Sequence, residues 1–530
     1  KQLEDLFSTD TWIDKNGVTN PAVGQVGHKS IFGNTANGAP ITIEYERHSM
    51  KFKYKTKPYE HQRVALERSY NKTNYGYFME MGCGKSKVLI DNMAWLYSEK
   101  KIDTAVIVAP KGVYRNWQIS EIPAHLREDI EHEVYVWNPN PNKEQKKNLE
   151  KGVTERKKLR ILLINVEGFA TTKVRKYMEM FVRGASFLLA VDESTTIKNP
   201  KAKRTTALVA LSKNASFRRI LTGSPVTKSP MDLYSQCAFM DTRLLGHKSY
   251  YSFQGRYAVT RTQRMGGHSF QQIVGYRNLE ELSTKLDSFS YRVTKEEALD
   301  LPPKIYTVRE VNLNDQQREY YMSLKKAAIV LLGDGELVSA PAVMTQLLRL
   351  QQVLCGHLKT DDGELVEFKT NRISALLETV EEMSGKVIIW SRFRYDIKKI
   401  TEELKKVYGC SSTVNYFGDT SDDDRQVAIR RFQFEDARFF VANPQTAGFG
   451  LTLTAATNVI YYANDFNLET RIQSEDRCHR IGQHHPVTYV DLVTRGSIDE
   501  YIVRSLRAKI DLSAKTLGEE ARKWLEVSPP

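Results

Sequence analysis

A short stretch that combines glycines, a lysine and a serine carries the clearest chemistry in the sequence. Gly82, Gly84, Lys85 and Ser86 lie within five consecutive residues. Glycines let the backbone curl so that its N–H groups point at phosphate oxygens, a lysine ammonium neutralises the β and γ phosphates, and a serine hydroxyl can ligate Mg²⁺. The apolar-rich residues 88–96 that follow predict a helix whose N-terminus faces those phosphates. The stretch therefore predicts a nucleotide site, with an ordinary glycine-rich turn before a helix as the alternative.

Two adjacent acids form the second candidate. Asp192 and Glu193 follow directly on the apolar run 187–191, which predicts a buried strand. Asp192 can hold Mg²⁺, usually through water, and Glu193 can polarise an attacking water. An acidic turn after a buried strand is the alternative interpretation, but Lys85 from an earlier loop favours ATP hydrolysis.

A polar helix face forms the third candidate. Residues 470–481 predict a helix, on which Gln473, Arg477 and Arg480 stand at i, i+4 and i+7 and so share one face. Two arginines so placed could reach a γ-phosphate, as arginine fingers do. A surface helix with charge pairs explains the same spacing equally well.

Two sets of short apolar runs predict the elements that position these residues. Their alternation with helical patterns is typical of buried parallel strands in βαβ units and predicts two parallel-sheet lobes. Residues 236–370 between the sets predict a largely helical and irregular stretch, and the strict alternation over 51–57 predicts a strand. The first set of runs lies at 105–109, 161–164, 187–191 and 219–222, and the second at 387–390, 439–442, 459–462 and 487–490.

Size and composition indicate which broad class of protein the chain belongs to. A chain of 530 residues is too long for one core, and 41% hydrophobic and 27% charged residues are typical of a globular protein. The net charge of +13, from 77 basic and 64 acidic residues, mildly favours a polyanionic partner.

The five cysteines form no C-x-x-C pair, which disfavours a disulfide framework or a cysteine-type zinc site and favours a reducing compartment. No apolar run approaches the length of a membrane span, and the start shows no signal-peptide pattern.

The stretch Asp-Arg-Cys-His-Arg-Ile-Gly-Gln at 476–483 resembles the sixth motif of the Swi/Snf-type ATPases, a branch of the superfamily 2 helicases and translocases. The family's other motifs appear in the right order, and the resemblance covers roughly residues 55–510. Eight ordered motifs do not arise by chance. The resembling segments are 59–62 (glutamine motif), 81–86 (motif I), 108–111 with Trp117 (motif Ia), 192–199 (motif II), 221–225 (motif III), 388–393 (motif IV), 446–453 (motif V) and 301–304 (the connector between lobes).

The resemblance implies an α/β fold with two RecA-like parallel-sheet lobes and helical insertions between them. The implied domains are an N-terminal appendage (1–50), lobe 1 with a helical insertion from about 236 (51–300), a connector with the helical insertion of lobe 2 (301–370), lobe 2 (371–510) and a C-terminal tail (511–530).

The resemblance also implies a role for each site residue. ATP and Mg²⁺ are the implied cofactors, with Ser86 and Asp192 as the residues that hold the metal. Lobe 1 would supply Gln62, Gly82, Gly84, Lys85, Ser86, Asp192 and Glu193 to the nucleotide, lobe 2 would supply Gln473, Arg477 and Arg480, Thr222 and Ser224 would couple ATP state to movement, and Lys111, Arg392 and Thr452 would contact DNA phosphates.

One departure from the general phosphate-binding loop and two from the family pattern stand out. Met79 occupies the place of the first glycine of the general loop, and Ser86 replaces the family's usual threonine but keeps the hydroxyl. Ser194-Thr195 stands where the family usually has Ala-His. In the family, that histidine couples the state of the bound ATP to motif III. We therefore expect this coupling to use other residues here.

The function implied is an ATP-dependent translocase on double-stranded DNA that remodels protein–DNA complexes or DNA junctions, with sequence-tolerant and salt-sensitive binding. A strand-separating DNA or RNA helicase is one alternative. An ATP-gated subunit of a larger assembly is another, although intact Lys85, Asp192 and Glu193 argue against it. A compact chain without chromatin-reading modules fits a bacterial or viral protein acting in the cytoplasm better than a nuclear remodeller. The sequence begins at Lys1 and leaves open what precedes it.

Overall fold

The computed structural model describes residues 12–13, 19–20, 33–34, 40–41, 52–111, 113–226, 229–265, 268–333, 340–360, 363–447 and 451–507. The chain divides into two compact units. Unit 1 comprises Lys1–Met79, Lys85–Ala109 and Trp117–Val293, and unit 2 comprises Glu80–Gly84, Pro110–Asn116 and Thr294–Pro530. Two antiparallel pairs of two-residue strands lie near the start: β1 (Trp12–Ile13) with β2 (Thr19–Asn20), and β3 (Gly33–Asn34) with β4 (Pro40–Ile41).

Unit 1 is built on a seven-stranded parallel sheet with the strand order β13-β5-β10-β9-β6-β8-β7. The four apolar runs of the first set all form strands, as predicted, because aliphatic residues buried on both faces suit a central parallel strand. No such signal marks β5, β7 and β13, which are rich in aromatic or polar residues. The strands are β5 (Asn74–Met79), β6 (Thr104–Ala109), β7 (His132–Val136), β8 (Leu159–Asn165), β9 (Phe187–Asp192), β10 (Phe217–Leu221), the separate antiparallel hairpin of β11 (Ala258–Met265) and β12 (His268–Tyr276), and β13 (Ser290–Val293).

Helices cover this sheet and enclose a core that includes Leu189, Phe181 and Tyr257. The helix predicted after the glycine-rich loop is confirmed as α2. The helices between residues 60 and 287 are α1 (Glu60–Ser69), α2 (Lys85–Ser98), α3 (Tyr114–Asn116), α4 (Ile122–His125), α5 (Lys143–Thr154), α6 (Thr172–Val182), α7 (Lys203–Ser212), α8 (Leu233–Met240), α9 (Tyr250–Tyr257) and α10 (Leu279–Asp287).

The strand predicted over 51–57 is wrong, since residues 52–58 form no regular secondary structure. Side-chain contacts hold this segment instead. The Phe52 ring packs edge-on against Tyr70 at 5.7 Å, and the Thr56 hydroxyl lies 2.8 Å from His125 Nδ1. Alternating lysines therefore mark a solvated segment that lies on α1 and α4 without joining a sheet.

Unit 2 contains a six-stranded parallel sheet with the strand order β14-β21-β20-β17-β19-β18. All four apolar runs of the second set form strands, as predicted, whereas β14 and β18 were not predicted. The strands are β14 (Lys304–Glu310), the antiparallel pair β15 (His357–Lys359) and β16 (Leu365–Glu367), β17 (Lys386–Trp390), β18 (Thr413–Tyr416), β19 (Phe439–Ala442), β20 (Ala456–Tyr461) and β21 (Val487–Val493).

The helices of unit 2 pack on this sheet and on one another, with Leu347, Ile498 and Ile502 in a shared core. They are α11 (Lys295–Ala298), α12 (Asp315–Gly333), α13 (Ala340–Leu354), α14 (Arg372–Glu381), α15 (Arg394–Tyr408), α16 (Asp422–Phe434), α17 (Pro444–Ala447), α18 (Leu468–Glu475) and α19 (Ile498–Arg507).

The helix predicted over 470–481 is shorter than expected, because α18 ends at Glu475. Two side chains donate hydrogen bonds to backbone carbonyl oxygens at its end. The Tyr489 hydroxyl donates to Glu475 O at 2.9 Å, and Arg477 Nε donates to Gln473 O at 2.9 Å. Arg477 and Arg480 therefore lie in the turns that follow the helix and not on a continuous face with Gln473.

The predicted fold class is confirmed: the molecule is α/β, with two parallel sheets covered by helices. Residues 236–370 are largely helical and irregular, as expected, but also include the hairpin β11–β12 and the strands β13–β16. The domain boundaries predicted above stay predictions. Within the described residues, no helix has the length and apolar character needed to cross a membrane.

Candidate nucleotide-binding and catalytic site

Three neighbouring strands of unit 1 end at the same edge of the sheet. Leu221 of β10 stands opposite Tyr77 of β5 on one side and Asp192 of β9 on the other. Ligands of parallel α/β sheets bind beyond the carboxyl ends of the strands. The glycine-rich loop follows β5, the acid pair ends β9, and Thr222 follows β10. The structure therefore brings the segments predicted for lobe 1 to one edge.

The glycine-rich loop has the backbone that an anion site needs. Gly82 has φ +88° and Gly84 has φ +81°, in the left-handed region where a Cβ causes strain. Helix α2 begins at Lys85, so the N–H groups of its first turn have no partner within the helix and its dipole favours negative charge. The Lys85 ammonium is buried and donates to Met79 O at 2.9 Å. These features fit a phosphate group at the start of α2.

The hydroxyl-bearing Ser86 lies in the first turn of α2 and is half-buried. The next residue, Lys87, forms a buried ion pair with Asp91 one turn further on, with Nζ and Oδ2 2.7 Å apart. Burial raises the pKa of Asp91 to about 6, against the effect of Lys87. Both residues lie on α2, so the pair links successive turns of that helix.

The acid pair occupies a polar niche at the end of β9. Asp192 is buried, and its two carboxylate oxygens accept from Trp117 Nε1 at 3.0 Å and from the Glu193 amide at 3.0 Å. Burial raises the pKa of Asp192, while the Lys85 ammonium and the indole of Trp117 oppose that rise. The sequence places Trp117 with motif Ia but does not reveal its hydrogen bond to Asp192.

Glu193 adopts an unusual backbone conformation. Its φ of +48° puts it among three non-glycine residues with positive φ in the described part of the chain. A left-handed glutamate is sparsely populated in proteins, and such residues cluster at active sites. The conformation turns the chain sharply after β9, so that Glu193 departs from the direction of the strand.

A buried amide connects motif II to motif III. The Ser194 hydroxyl donates to Gln236 Oε1 at 2.7 Å, and Gln236 Nε2 donates to Pro225 O at 2.7 Å and to Asp232 O at 2.8 Å. Gln236 is fully buried on α8. No sequence signal marked Gln236. The one hint was Ser194, which supplies a hydroxyl where the family usually has alanine.

The predicted coupling residues follow β10. Thr222 is buried, and its hydroxyl accepts from the Ser224 amide at 3.2 Å, while Ser224 itself is exposed. The predicted adenine-reading residue, Gln62, is buried near the start of α1, where its Oε1 accepts from the Tyr59 amide at 3.0 Å. Its hydrogen bond caps the helix and fixes the direction of the side chain.

In unit 2 the two predicted arginines donate hydrogen bonds to the same backbone carbonyl oxygen, that of Leu451. Arg477 Nη1 and Arg480 Nη1 donate to Leu451 O, in the predicted motif V, at 3.3 Å and 3.1 Å. Arg477 is buried and also donates to Gln473 O, and Gln473 Nε2 donates to Glu469 Oε1 at 3.2 Å. Gln473, Arg477 and Arg480 thus lie close together despite the early end of α18.

A buried network of charges holds α18 in place. Arg471 contacts Asp491 Oδ1 at 2.5 Å and Glu475 Oε1 at 2.8 Å. Glu475 Oε2 in turn accepts from Lys304 at 3.0 Å and from the Tyr306 hydroxyl at 2.7 Å. Burial alone would raise the pKa of Glu475, but Arg471 and Lys304 outweigh burial and lower it. Sequence reasoning missed this network, because its members come from α18, β14 and β21.

The predicted DNA contacts differ in exposure. Lys111 is exposed just after β6, and Thr452 is exposed between the buried Leu451 and Leu453. Arg392 is mostly buried: its Nη1 lies 3.7 Å from Asp465 Oδ1, and its guanidinium carbon lies 4.9 Å from the centroid of the Phe466 ring. Their roles stay predictions, with Lys111 and Thr452 more accessible than Arg392.

A parallel α/β sheet with a glycine–lysine loop and an acid pair at its carboxyl edge defines a nucleoside-triphosphate-binding class of protein. The SNF2-related domain matches residues 61–359, and the helicase conserved C-terminal domain matches residues 369–482. The first match covers more than half of the chain, so the chain belongs to the SNF2-related family. The predicted family and the predicted enzyme class, a helicase-like ATP hydrolase of superfamily 2, are confirmed.

Curated relatives are larger than this chain. Protein CHROMATIN REMODELING 4 of Arabidopsis thaliana is 28% identical over 345 residues, which are 61% of this chain and 15% of that protein. An uncharacterized ATP-dependent helicase of Mycoplasma genitalium is 25% identical over 483 residues, which are 89% of this chain and 43% of that protein. The chain spans less than half the length of both.

Among solved structures, the Sulfolobus solfataricus SWI2/SNF2 ATPase core in complex with dsDNA is 22% identical and covers 90% of this chain and 96% of that chain. Its TM-score is 0.39, too low to support an inference.

Proposed function

We propose that this protein is an ATP-dependent translocase on double-stranded DNA, which uses ATP hydrolysis to move along DNA and to remodel protein–DNA complexes or DNA junctions. The observation that carries the proposal is the meeting of the Lys85 loop and the Asp192–Glu193 pair at one edge of the unit 1 sheet. Membership of the SNF2-related family supports it, as does the ATP-dependent helicase among its relatives.

The loop of Gly82 and Gly84 would bind the β and γ phosphates through backbone N–H groups, and Lys85 would neutralise them. Gln62 would read the adenine, by resemblance. Ser86 and Asp192 offer a hydroxyl and a carboxylate, the oxygen donors that Mg²⁺ prefers, so the residues present fit that ion. When bound, Mg²⁺ would neutralise charge that develops on the phosphates.

Glu193 would orient the attacking water. Water attacks the γ-phosphorus, the bond to the β–γ bridging oxygen breaks, and Glu193 accepts the proton that the water loses. The left-handed backbone at Glu193 supports this role, because residues in such sparsely populated conformations cluster at active sites. Gln473, Arg477 and Arg480 would supply further polar and positive groups to the transition state, as their motif implies.

A change in the bound nucleotide would be transmitted to motif III through two hydrogen bonds, from Ser194 to Gln236 and from Gln236 to Pro225. DNA phosphates would bind at Lys111 and Thr452, and the mostly buried Arg392 would orient the neighbouring loop and add a weaker contact. Because phosphate contacts carry no base information, we expect binding that tolerates any sequence and weakens with salt.

A triplex-displacement assay tests the proposal. A translocase removes a labelled third strand from duplex DNA when ATP is present, and the two duplex strands stay paired. Displacement that needs ATP and fails in Lys85→Ala is the expected result. Duplex strand separation, or no displacement by an enzyme that hydrolyses ATP with DNA, would contradict translocation on duplex.

A further inference from the structure

The hairpin formed by β11 and β12 stands apart from both large sheets. Its strands pair from Ala258 opposite Tyr276 to Met265 opposite His268, and no third strand joins them among the described residues. Eight residues of β strand span about 26 Å. A two-stranded ribbon has little stability of its own in water, so this one depends on what its ends and faces contact.

Among the side chains of the ribbon that the structure describes, those at its base pack on the core of unit 1. Tyr257 and Ala258 are buried in the core at the end of α9, and Ile273 and Tyr276 pack against the same core. The pairing shifts by one residue between Val259 and Thr260, as at a β-bulge, which bends a ribbon and increases its twist. The core therefore holds the ribbon at one end and sets its direction.

Beyond the base, polar side chains are exposed on both strands. Thr260, Arg261 and Thr262 are exposed on β11, and Gln271 is exposed on β12. Gln271 Nε2 donates to Thr262 Oγ1 at 2.9 Å, which holds the strands in register. Hydroxyl, amide and guanidinium groups of this kind are donors that bind phosphate oxygens.

The segment that carries the ribbon has no acidic residue at all. Acidic residues make up 64 of the 530 residues of the chain, but none lies between 242 and 279. Six lysines and arginines lie there: Arg243, Lys248, Arg256, Arg261, Arg264 and Arg277.

Neighbouring groups offset some of this charge at the base of the ribbon but none at Arg261. Arg256 pairs with Glu281, and Arg243 pairs with Asp241 at 2.7 Å. Arg277 donates to the carbonyl oxygens of Gly255 and Arg256, which carry no full charge. Arg261 pairs with no carboxylate in the part of the chain that the structure describes, so positive charge remains along the exposed ribbon.

We propose that the β11–β12 ribbon binds the phosphate backbone of duplex DNA, as a contact separate from Lys111, Arg392 and Thr452. A two-stranded β-ribbon fits the major groove, and an arginine fork binds phosphate oxygens in pairs. The inference rests on the proposed function, since it assigns a further surface to the same DNA.

The composition of the ribbon favours a nucleic acid over a protein partner. Its exposed apolar side chains in the described part are Val259 and Val274, which lie at the bulge near the base. Protein interfaces have an apolar and aromatic centre, which the exposed and described part of this ribbon lacks. An acid-free, donor-rich surface matches a continuous row of phosphates instead.

The test uses the full chain with Arg261 and Arg264 both changed to alanine. Duplex binding is measured with a fluorescent probe between about 50 mM and 200 mM salt. Loss of two phosphate contacts lowers the slope of log K against log salt by about 2 and weakens binding at the lowest salt by tenfold or more. The concentration of duplex that half-saturates ATP hydrolysis rises in parallel, and the rate at saturating duplex stays within about twofold of wild type.

The control changes Lys146 and Lys147 to alanine. Both lie on α5 of unit 1 and are exposed, so the variant removes the same charge from another surface. It is expected to bind like wild type. Arg261→Lys with Arg264→Lys keeps the charge and is expected to restore most of the salt slope, which separates charge from damage to the fold.

Three outcomes would overturn the inference. The alanine variant could bind duplex with the affinity and slope of wild type, or it could lose no more than the α5 control, or only its binding to single strands could change. Each of these leaves the proposed function intact if wild type is stimulated by duplex DNA. If duplex neither binds nor stimulates the wild-type protein, the proposed function fails as well.

Discussion

At the scale of residues, the chemistry depends on a few buried polar groups whose partners the structure defines. Lys85 has its ammonium at the Met79 carbonyl, and Asp192 accepts from Trp117 and from the backbone of Glu193. Both charged groups are buried. Interactions with a bound phosphate or metal would be stronger at this buried site than in bulk water.

Lys85→Ala is expected to abolish ATP turnover while DNA binding persists. The change removes the charge proposed to stabilise the β and γ phosphates but leaves the residues proposed to contact DNA in place. Steady-state phosphate release and duplex binding are measured on the same preparation. Lys101→Ala, which removes a lysine after α2, is the control, and normal turnover in Lys85→Ala would refute the phosphate-loop assignment.

Arg480→Ala is expected to reduce turnover by about 10³-fold or more, if Arg480 stabilises the transition state as an arginine finger does. Its hydrogen bond to Leu451 O gives the competing explanation, a purely structural role. Single-turnover hydrolysis with saturating ATP separates the two, with the exposed Arg504→Ala on α19 as the control. A loss below about tenfold would assign Arg480 to structure.

Ser194→Ala is expected to reduce the stimulation of ATP hydrolysis by DNA about tenfold, because it leaves the Gln236 carbonyl buried without its donor. Ser235→Ala is a matched control: Ser235 is also buried beside Gln236, but its hydroxyl has no hydrogen-bond partner among the described residues. The ratio of DNA-stimulated to basal turnover is the measurement. Equal ratios in the two variants would show that the hydrogen bond between Ser194 and Gln236 does not contribute to stimulation by DNA.

Residue types and spacing predicted Lys85, Ser86, Asp192 and Glu193 because each lies within a few residues of the glycines or of a strand end. Gln236 could not be predicted in this way. It lies more than 40 residues beyond Ser194, on a helix whose packing alone brings its amide to motif II. A hydroxyl in place of alanine at position 194 implied a partner but did not identify it.

At the scale of elements, burial on both faces explains which strands the sequence predicted. The aliphatic runs of β6, β8 and β9 are buried throughout. β14 and β13 lie at sheet edges, β14 is largely exposed, and neither has a continuous apolar run. The end of α18 was misplaced for another reason: its last carbonyls accept bonds from Tyr489 and Arg477, and the first of these is a tertiary contact that local pattern does not contain.

The contact of residues 52–58 with α4 predicts a dependence of stability on pH. Burial, with Lys87 and Lys55 nearby, lowers the pKa of His125 from 6.5 to about 4. A depressed histidine pKa means that the unfolded chain takes up the proton first, so stability is complete above about pH 6.5 and is lost as pH falls toward about 4. Between about pH 7.5 and pH 5 the melting temperature of wild type should fall further than that of His125→Gln.

Thermal unfolding followed by circular dichroism makes that comparison. His485→Gln changes an exposed histidine and is expected to keep the wild-type dependence on pH. An identical fall of melting temperature in wild type and His125→Gln would show that His125 does not contribute to acid sensitivity.

At the scale of the whole molecule, two parallel sheets and an excess of positive charge agree with the proposed motor acting on a polyanion. The alternation of apolar runs and helices was enough to predict both sheets, since the central aliphatic strands each carry their own signal. The hairpin β11–β12 was not predicted, because its strands alternate weakly and lack an apolar face. Its acid-free composition was visible in the sequence, but only the structure shows that Arg261 is exposed on a two-stranded ribbon.

The measurement that tests the central claim most directly is steady-state ATP hydrolysis by the full chain at one fixed salt concentration. The protein is assayed without nucleic acid, with duplex DNA, with single-stranded DNA and with RNA, with Lys85→Ala as the inactive control. A translocase on duplex DNA predicts strong stimulation by duplex and much weaker stimulation by the other two. Stimulation mainly by single strands or RNA, or no turnover with any of them, would contradict it.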